Sequence, residues 1–288
     1  LGMSVLTGFT RLFSFGNAGF MSIGAYASAI VTTLIQDQTD LPAVLLYLIA
    51  IIAGGLAAGL IGVLVGIPAL RLSGDYLCIV TVAVAEIVRV VLSNFGIPAI
   101  TGKATFGKSF AGIAKVSDYH YVYITMVICI FIMYCYIRSR YGRALIAIRE
   151  DRIAAAASGI NVTKTKVLTF TISAFFAGVS GAIYAHYITT LVPTYFNFSK
   201  SSEFLAIVIL GGSGSLTGSI VAAPILSALP QLISYVVPAF ASYRMLIYAI
   251  ILVVVMIFKP TGLFGGREFS LPKLIDKITK KKTPKEKR

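Results

Sequence analysis

Residues that build metal or catalytic centres are scarce in this 288-residue chain, and tryptophan is absent. There are two histidines, His120 and His186, and three cysteines. Cys78, Cys129 and Cys135 all fall within apolar runs, where a thiol behaves as a small hydrophobic group. Their spacing fits neither a disulfide framework nor a zinc site. The sequence therefore predicts no metal centre and no enzyme active site.

Charged residues are also scarce. They make up 12% of the chain, whereas 57% of residues are hydrophobic and the mean hydropathy is +0.89. Soluble domains carry about a quarter charged residues. Apolar runs of roughly 20 residues satisfy their backbone groups in a bilayer only as helices, and the period-two pattern of a barrel is missing. We therefore predict an all-α, polytopic integral membrane protein.

The charge that is present is strongly positive, at +14 net. Of the 25 Lys and Arg residues, ten lie between Lys259 and Arg288 and seven between Arg138 and Lys166. Basic residues beside spans follow the positive-inside rule, with anionic lipid as the counter-charge. We therefore predict no nucleic-acid binding, and we place both basic segments, including a tail at 266–288, on the cytoplasmic side.

The apolar runs predict a transmembrane domain over residues 1–265 with about eight transmembrane or re-entrant helices. We expect them at Gly16–Ile35, Pro42–Gly66, Tyr76–Asn94, Tyr119–Ile137, Val167–Leu191, about Ser199–Gly212, Ser219–Val237 and Tyr243–Phe258. The chain is apolar from its first residue without a charged n-region, so we expect an incomplete first span rather than a signal peptide.

The number of membrane crossings constrains the segment between residues 192 and 242, because two segments on the same side are separated by an even number of crossings. If both basic segments are cytoplasmic, this part of the chain makes two crossings or forms a re-entrant pair. Gly211, Gly212 and Gly214 supply the break, because glycine at membrane depth marks a helix break or a close-packing site. These three glycines are candidates either for packing or for the translocation path. Whether 199–212 spans or re-enters stays open at this point.

One stretch matches a nucleotide-binding motif. Gly102–Ser109, GKATFGKS, fits the P-loop pattern at every fixed position. A P-loop also needs a buried strand before it, a helix after it and an acidic residue for magnesium. The surrounding sequence has none of these, so we interpret the match as coincidental.

Two ionisable residues, Glu86 and Arg89, lie inside the third predicted span. They are three residues apart and therefore share one helical face. Such groups at membrane depth pair with each other or line a polar path. Two interpretations follow: an ion pair that holds helices together, or a contribution to a translocation path. His186, by contrast, is expected at the membrane interface.

Residues 138–166 form a polar and basic island between two long apolar segments. Glu150 and Asp151 suit a helix N-terminus, residues 152–158 (RIAAAAS) have high helix propensity, and Gly159 suits a left-handed C-terminal position. Thr163 is expected to cap the next span. The island is either an ordinary basic loop or a short helix that docks into a groove on another protein.

Several segments, in order along the chain, together carry a family likeness. They are Leu70–Thr81 (LRLSGDYLCIVT), Glu86–Arg89 (EIVR), Tyr141–Ala144 (YGRA), Ala147–Asp151 (AIRED), Ala174–Gly178 (AFFAG) and Leu210–Gly214 (LGGSG). With them the chain resembles the permease subunits of branched-chain amino-acid ABC importers, in particular the LivM type, from about residue 16 to residue 265.

The resemblance implies the partners of a bacterial plasma-membrane importer. They are a LivH-like permease subunit in a heterodimer, two cytoplasmic ABC ATPases that hold ATP and magnesium, and an extracytoplasmic protein that delivers leucine, isoleucine or valine. This chain itself would hold no cofactor, and its C-terminus would be cytoplasmic. The ATPase-coupling helix would comprise Arg149, Glu150, Asp151, Ala154, Ala155 and Gly159.

Two other functions fit parts of the pattern. The same architecture would serve another cargo, such as urea, short amides or other amino acids. A secondary transporter driven by an ion gradient would instead show inverted repeats and broken helices around acidic residues at the midplane. Glu86 is the main candidate for such an acid, and no repeat is evident.

Overall fold

The structure, a computed structural model, describes residues 1–36, 42–72, 74–94, 110–111, 119–236, 243–258 and 262. These residues form eleven α-helices: α1 Gly2–Thr10, α2 Asn17–Gln36, α3 Ala43–Ala69, α4 Asp75–Asn94, α5 Tyr119–Arg138, α6 Arg140–Glu150, α7 Arg152–Ala157, α8 Val162–Ile188, α9 Phe198–Gly211, α10 Leu216–Val236 and α11 Arg244–Phe258. Two short strands, β1 Phe110–Ala111 and β2 Thr190–Leu191, pair antiparallel, and a 3₁₀ turn follows at Pro193–Phe196.

Six of these helices, α2, α3, α4, α5, α8 and α10, are long and apolar enough to cross a membrane. The two remaining predicted segments form shorter helices, α9 with 14 residues and α11 with 15. Fourteen residues extend about 21 Å, less than the roughly 30 Å of a bilayer core. The chain is a multi-pass membrane protein, and the predicted all-α membrane fold is confirmed, with six of the predicted segments long enough to span.

One span begins earlier than predicted. α8 starts at Val162 rather than Val167, because the Asn161 side chain accepts a hydrogen bond from the Lys164 backbone N–H at 2.9 Å. Thr163 therefore lies inside the helix, and its predicted role as the cap is wrong. The first turn of the helix is polar and therefore precedes the apolar run from which the span was predicted.

The centre of the fold is a bundle of α2, α3 and α8, which pack more extensively against each other than against other helices. Glycines on α3 face α8: Gly55 lies against Phe175 and Val179, and Gly62 lies against Ala174. These small residues let α3 approach α8 closely. Close packing of this kind replaces the hydrophobic effect as the main force between helices inside a bilayer.

His186 is buried in this bundle, at 2% exposure, and lies near the C-terminal end of α8. Its position at the membrane interface stays a prediction. Its Nε2 lies 3.3 Å from the Thr32 hydroxyl on α2, and its ring meets the Tyr47 ring of α3 edge-on. Three helices thereby enclose one imidazole, because α2 and α3 approach α8 closely at their glycines.

α6 and α7 together form a two-helix arm at one end of the bundle. The arm precedes α8, whereas the β1–β2 pair follows the opposite end of α8. α9 and α10 pack as a hairpin whose break, at residues 212–215, lies at the arm end. Gly262, after α11, packs against Gly212 and so returns to the same end. If both basic segments lie on the same side, α9 and α10 thus form the two crossings or the re-entrant pair that an even number of crossings requires.

Candidate functional site: the arm and the helix break

The first helix of the arm, α6, is set by its cap and its apolar stripe. The Ser139 hydroxyl accepts hydrogen bonds from the backbone N–H groups of Tyr141 and Gly142. Leu145 and Ile148 lie on the buried face. Glycine is required at 142, because a Cβ there would collide with the backbone of the preceding helix at residue 137. α6 is therefore held tightly against the end of α5.

The second helix of the arm, α7, has the predicted caps. The Asp151 carboxylate accepts hydrogen bonds from the N–H groups of Ile153 at 2.7 Å and Ala154 at 3.0 Å. Gly159 has a φ of +84° and terminates the helix, as predicted. Glu150, however, is the last residue of α6 rather than part of an N-terminal turn, and it pairs with Arg149.

The two alanines assigned to the coupling helix differ in exposure, because neighbouring residues of a helix point about 100° apart. Ala155 is 4% exposed and packs with Ile148 and Val162, so it anchors the helix to the protein. Ala154 is exposed. Ile153, which the sequence interpretation did not single out, is 82% exposed. The outward face of α7 therefore presents a large apolar side chain beside small ones, which suits a groove on another protein.

Arg149 connects the arm to the rest of the fold. Its Nη1 donates to the carbonyl of Gly8 at 3.2 Å, across 141 residues of sequence. Gly8 lies in the last turn of α1, where carbonyls have no partner within the helix and a cation is favourable. The same nitrogen would lie 2.9 Å from a Cβ on Gly214. The guanidinium therefore sits between α1 and the α9–α10 break.

The break itself depends on glycine. Gly212 and Gly214 have φ values of +111° and +90°, which L side chains rarely adopt. Gly211 ends α9, and a Cβ there would meet the backbone of Gly218 and Ser219 at 2.8 Å. These glycines were assigned to packing or the translocation path, and Arg149 to coupling. The structure brings Arg149 and Gly214 together.

Replacing Arg149 by Gln is expected to loosen this junction, because a hydrogen bond from a charged donor contributes about 1.5–3 kcal/mol. Amide hydrogen exchange would accelerate at residues 6–10 and 212–216, as measured by mass spectrometry. Arg143→Gln is the control, since the Arg143 Nη1 donates to the carbonyl of Arg138 at the end of α5 and not to α1. Equal exchange rates at residues 6–10 and 212–216 in the Arg149→Gln and Arg143→Gln variants would contradict the role of Arg149 at this junction.

Glu86 and Arg89 form the predicted ion pair on α4, away from the arm. The Arg89 Nε donates to the Glu86 Oε1 at 2.9 Å, and a guanidinium nitrogen contacts the same oxygen. Both side chains are partly exposed, Glu86 at 47% and Arg89 at 26%. Among the described residues, the pair is therefore not buried between helices.

Two sequence features lie outside the described residues. They are the P-loop-like stretch at 102–109 and the basic tail at 266–288. Among the described residues, no group of three or more His, Cys, Asp and Glu side chains is arranged to hold a metal ion.

The sequence that forms the arm, the glycine break and the six spans matches a known family. Residues 1–256 match the family described as branched-chain amino acid transport system / permease component. The chain belongs to this family. The matched residues include the arm, the break and all six long spans.

Similarity to individual proteins of the family is extensive. The chain is 34% identical over 294 residues to the high-affinity branched-chain amino acid transport system permease protein LivM of Escherichia coli, covering 91% of this chain and 66% of that protein. It is 33% identical, with the same coverage, to LivM of Salmonella typhimurium. The chain thus spans just under two thirds of the length of these relatives.

A second kind of permease is also similar. LivH of Salmonella typhimurium is 32% identical over 143 residues, covering 50% of this chain and 44% of that protein. No solved structure matches the chain. LivM-type and LivH-type permeases therefore share sequence with this chain, the former over nearly its whole length.

Proposed function

We propose that this chain is the LivM-type permease subunit of an ATP-driven importer that carries leucine, isoleucine and valine across the bacterial cell membrane. Its similarity to proteins named for branched-chain amino acid transport supports the cargo. ATP and magnesium bind to separate ATPase subunits, and this chain contributes the membrane path and the docking element.

The observation that carries the proposal is the arm. An exposed isoleucine, Ile153, stands on a short helix that is capped by Asp151 and anchored by the buried Ala155. The arm is also hydrogen-bonded through Arg149 to α1 beside the α9–α10 break. A rigid element that is joined to the spans and exposes an apolar side chain at its tip suits a helix that transmits ATPase closure to the membrane domain.

The subunit works with three kinds of partner. A LivH-like permease forms the other half of the membrane domain, two ABC ATPases bind at the arm end, and an extracytoplasmic binding protein delivers cargo at the opposite end. The seven basic residues between Arg138 and Lys166 support a cytoplasmic position for the arm. The return of Gly262 to the arm end supports a cytoplasmic C-terminus.

The test is uptake by the whole assembly. The chain, co-purified with the LivH-like subunit and both ATPases, is reconstituted in liposomes with ATP inside and the binding protein outside. Uptake of radiolabelled leucine is expected to require both ATP and the binding protein, and vanadate is expected to block it.

Uptake that continues with vanadate-blocked ATPases and follows an ion gradient would contradict the proposal and favour a secondary transporter. Competition decides the cargo in the same liposomes. Unlabelled isoleucine and valine are expected to suppress leucine uptake, whereas urea and short amides are not. The opposite result would leave the importer assignment standing and overturn the cargo.

A further inference from the structure

An ion pair lies within the span of α4, and the described helices of this chain leave it partly exposed. Glu86 is the twelfth and Arg89 the fifteenth of the 20 residues between Asp75 and Asn94. At 1.5 Å per residue, both lie roughly 15–20 Å from the helix start, well inside a bilayer core. Both side chains remain partly exposed on the surface of the subunit.

Such a pair does not face hydrocarbon. Ionised side chains within membrane spans face the bundle interior, a water-filled cavity or another protein, because exposure of charge to lipid is strongly unfavourable. The pair is stable where it is only if water or polar partners reach this side of α4 in the assembled protein.

The position of the pair on α4 is well defined. One face of the helix carries the buried residues Leu77, Thr81 and Ala85, at four-residue spacing, and packs on α2, where Gly19 lies against Ala85. Ile79, Ile87, Val90 and Val91 are exposed on another face. Glu86, Arg89 and Ser93 form a polar stripe between these two faces, and the Ser93 hydroxyl donates to the carbonyl of Arg89 at 2.8 Å.

We propose that the Glu86–Arg89 stripe of α4 lines the translocation pathway and binds the ammonium and carboxylate groups of an amino acid as it passes. This deepens, and rests on, the proposed import of amino acids. The site takes zwitterions because each half of the pair matches one charged group of the cargo: the Glu86 carboxylate accepts from an ammonium, and the Arg89 guanidinium donates to a carboxylate.

Charge balance favours this class of ligand. The pair is neutral as a whole, and so is a zwitterionic amino acid, so exchanging partners moves no net charge into the membrane. A cation or an anion of the same shape would leave one of the two residues without a partner inside the span. The pair thereby discriminates against cargo that lacks either charge.

The first experiment maps access of water to the stripe in the assembled importer. After Cys78, Cys129 and Cys135 are replaced by alanine, Ser93→Cys is introduced on the polar stripe and Val91→Cys on the exposed apolar face as the matched control. A membrane-impermeant, charged thiol reagent is expected to label Ser93→Cys at least tenfold faster than Val91→Cys. Equal or slower labelling at position 93 would overturn the pathway assignment.

The second experiment tests cargo contact. Glu86→Gln and Arg89→Gln are each expected to lower the maximal rate of leucine uptake at least tenfold. The KM, which the binding protein sets, is expected to change by less than twofold. More ATP would be hydrolysed per leucine moved. Ile87→Ala, on the neighbouring apolar face, serves as the control.

The charge-exchanged variant, Glu86→Arg with Arg89→Glu, separates binding from a structural ion pair. It preserves the attraction between the side chains but reverses the charges that an oriented cargo meets. We expect the assembly to co-purify normally while uptake stays at least tenfold low. Recovery of uptake to within twofold of wild type would overturn the proposal, as would single variants with unchanged transport. Absence of leucine uptake in the wild type would instead refute the proposed function.

Discussion

Replacing Gly24 by alanine is expected to prevent stable packing of the transmembrane bundle. A Cβ at this position would fall on the backbone of Gly178, at the crossing of α2 and α8. Neither backbone is free to withdraw, because Gly178 lies in turn against Gly54 and Ala58 of α3. Overpacking costs about 1–3 kcal/mol where side chains can adjust, and we expect a larger loss at a backbone contact.

Thermal unfolding of the purified protein in detergent would measure the effect. Gly59→Ala is the matched control, since a Cβ there would lie 3.5 Å from the Cβ of Phe175, an ordinary contact. We expect the control to unfold at the wild-type temperature or above, because alanine is favoured over glycine in helices by about 1 kcal/mol. Equal unfolding temperatures of the Gly24→Ala and Gly59→Ala variants would show that the α2–α8 crossing accommodates an added methyl group.

Replacing Ile153 by aspartate is expected to abolish ATPase binding and uptake while leaving the permease folded. The side chain is 82% exposed, so the substitution removes no internal contact, yet it places a charge where an apolar surface would meet a partner. Co-purification with the ATPases is expected to fall at least tenfold, with the unfolding temperature unchanged. Ile153→Leu preserves an apolar side chain and is expected to retain binding.

The two neighbouring alanines sharpen this test. Ala154→Arg is expected to weaken ATPase binding without unfolding the arm, because Ala154 is exposed. Ala155→Arg is expected to detach α7 from Ile148 and Val162, because Ala155 is buried. A folded Ile153→Asp variant that still binds the ATPases and supports uptake would refute the role of α7 in coupling.

Much of the fold was predictable because it depends on local properties. Hydropathy located six long spans to within a few residues, and capping chemistry located Asp151 and Gly159 at the ends of α7. Errors occurred where a polar helix turn lies outside the apolar run. Thus α8 begins at Val162 because Asn161 caps it, a bond that the hydropathy of the span does not reveal.

The candidate site was predictable only in part. The residues of the arm and of the break were found as separate motifs, and nothing in their spacing indicated that Arg149 reaches Gly8 or lies beside Gly214. Ile153 was missed, although one signal was available. It is a large apolar residue in a polar island, and such a side chain is either buried or reserved for a partner.

The sequence by itself determined that this is a multi-pass helical membrane protein of one permease family, because hydrophobic length and ordered motifs are properties of the chain alone. Only the tertiary structure decided which face of α7 is free, that His186 is enclosed by three helices, and that the Glu86–Arg89 pair stays partly exposed. These features depend on which helices become neighbours. Close approach at Gly24 and Gly178 sets that arrangement, and the resulting contacts join residues far apart in the chain.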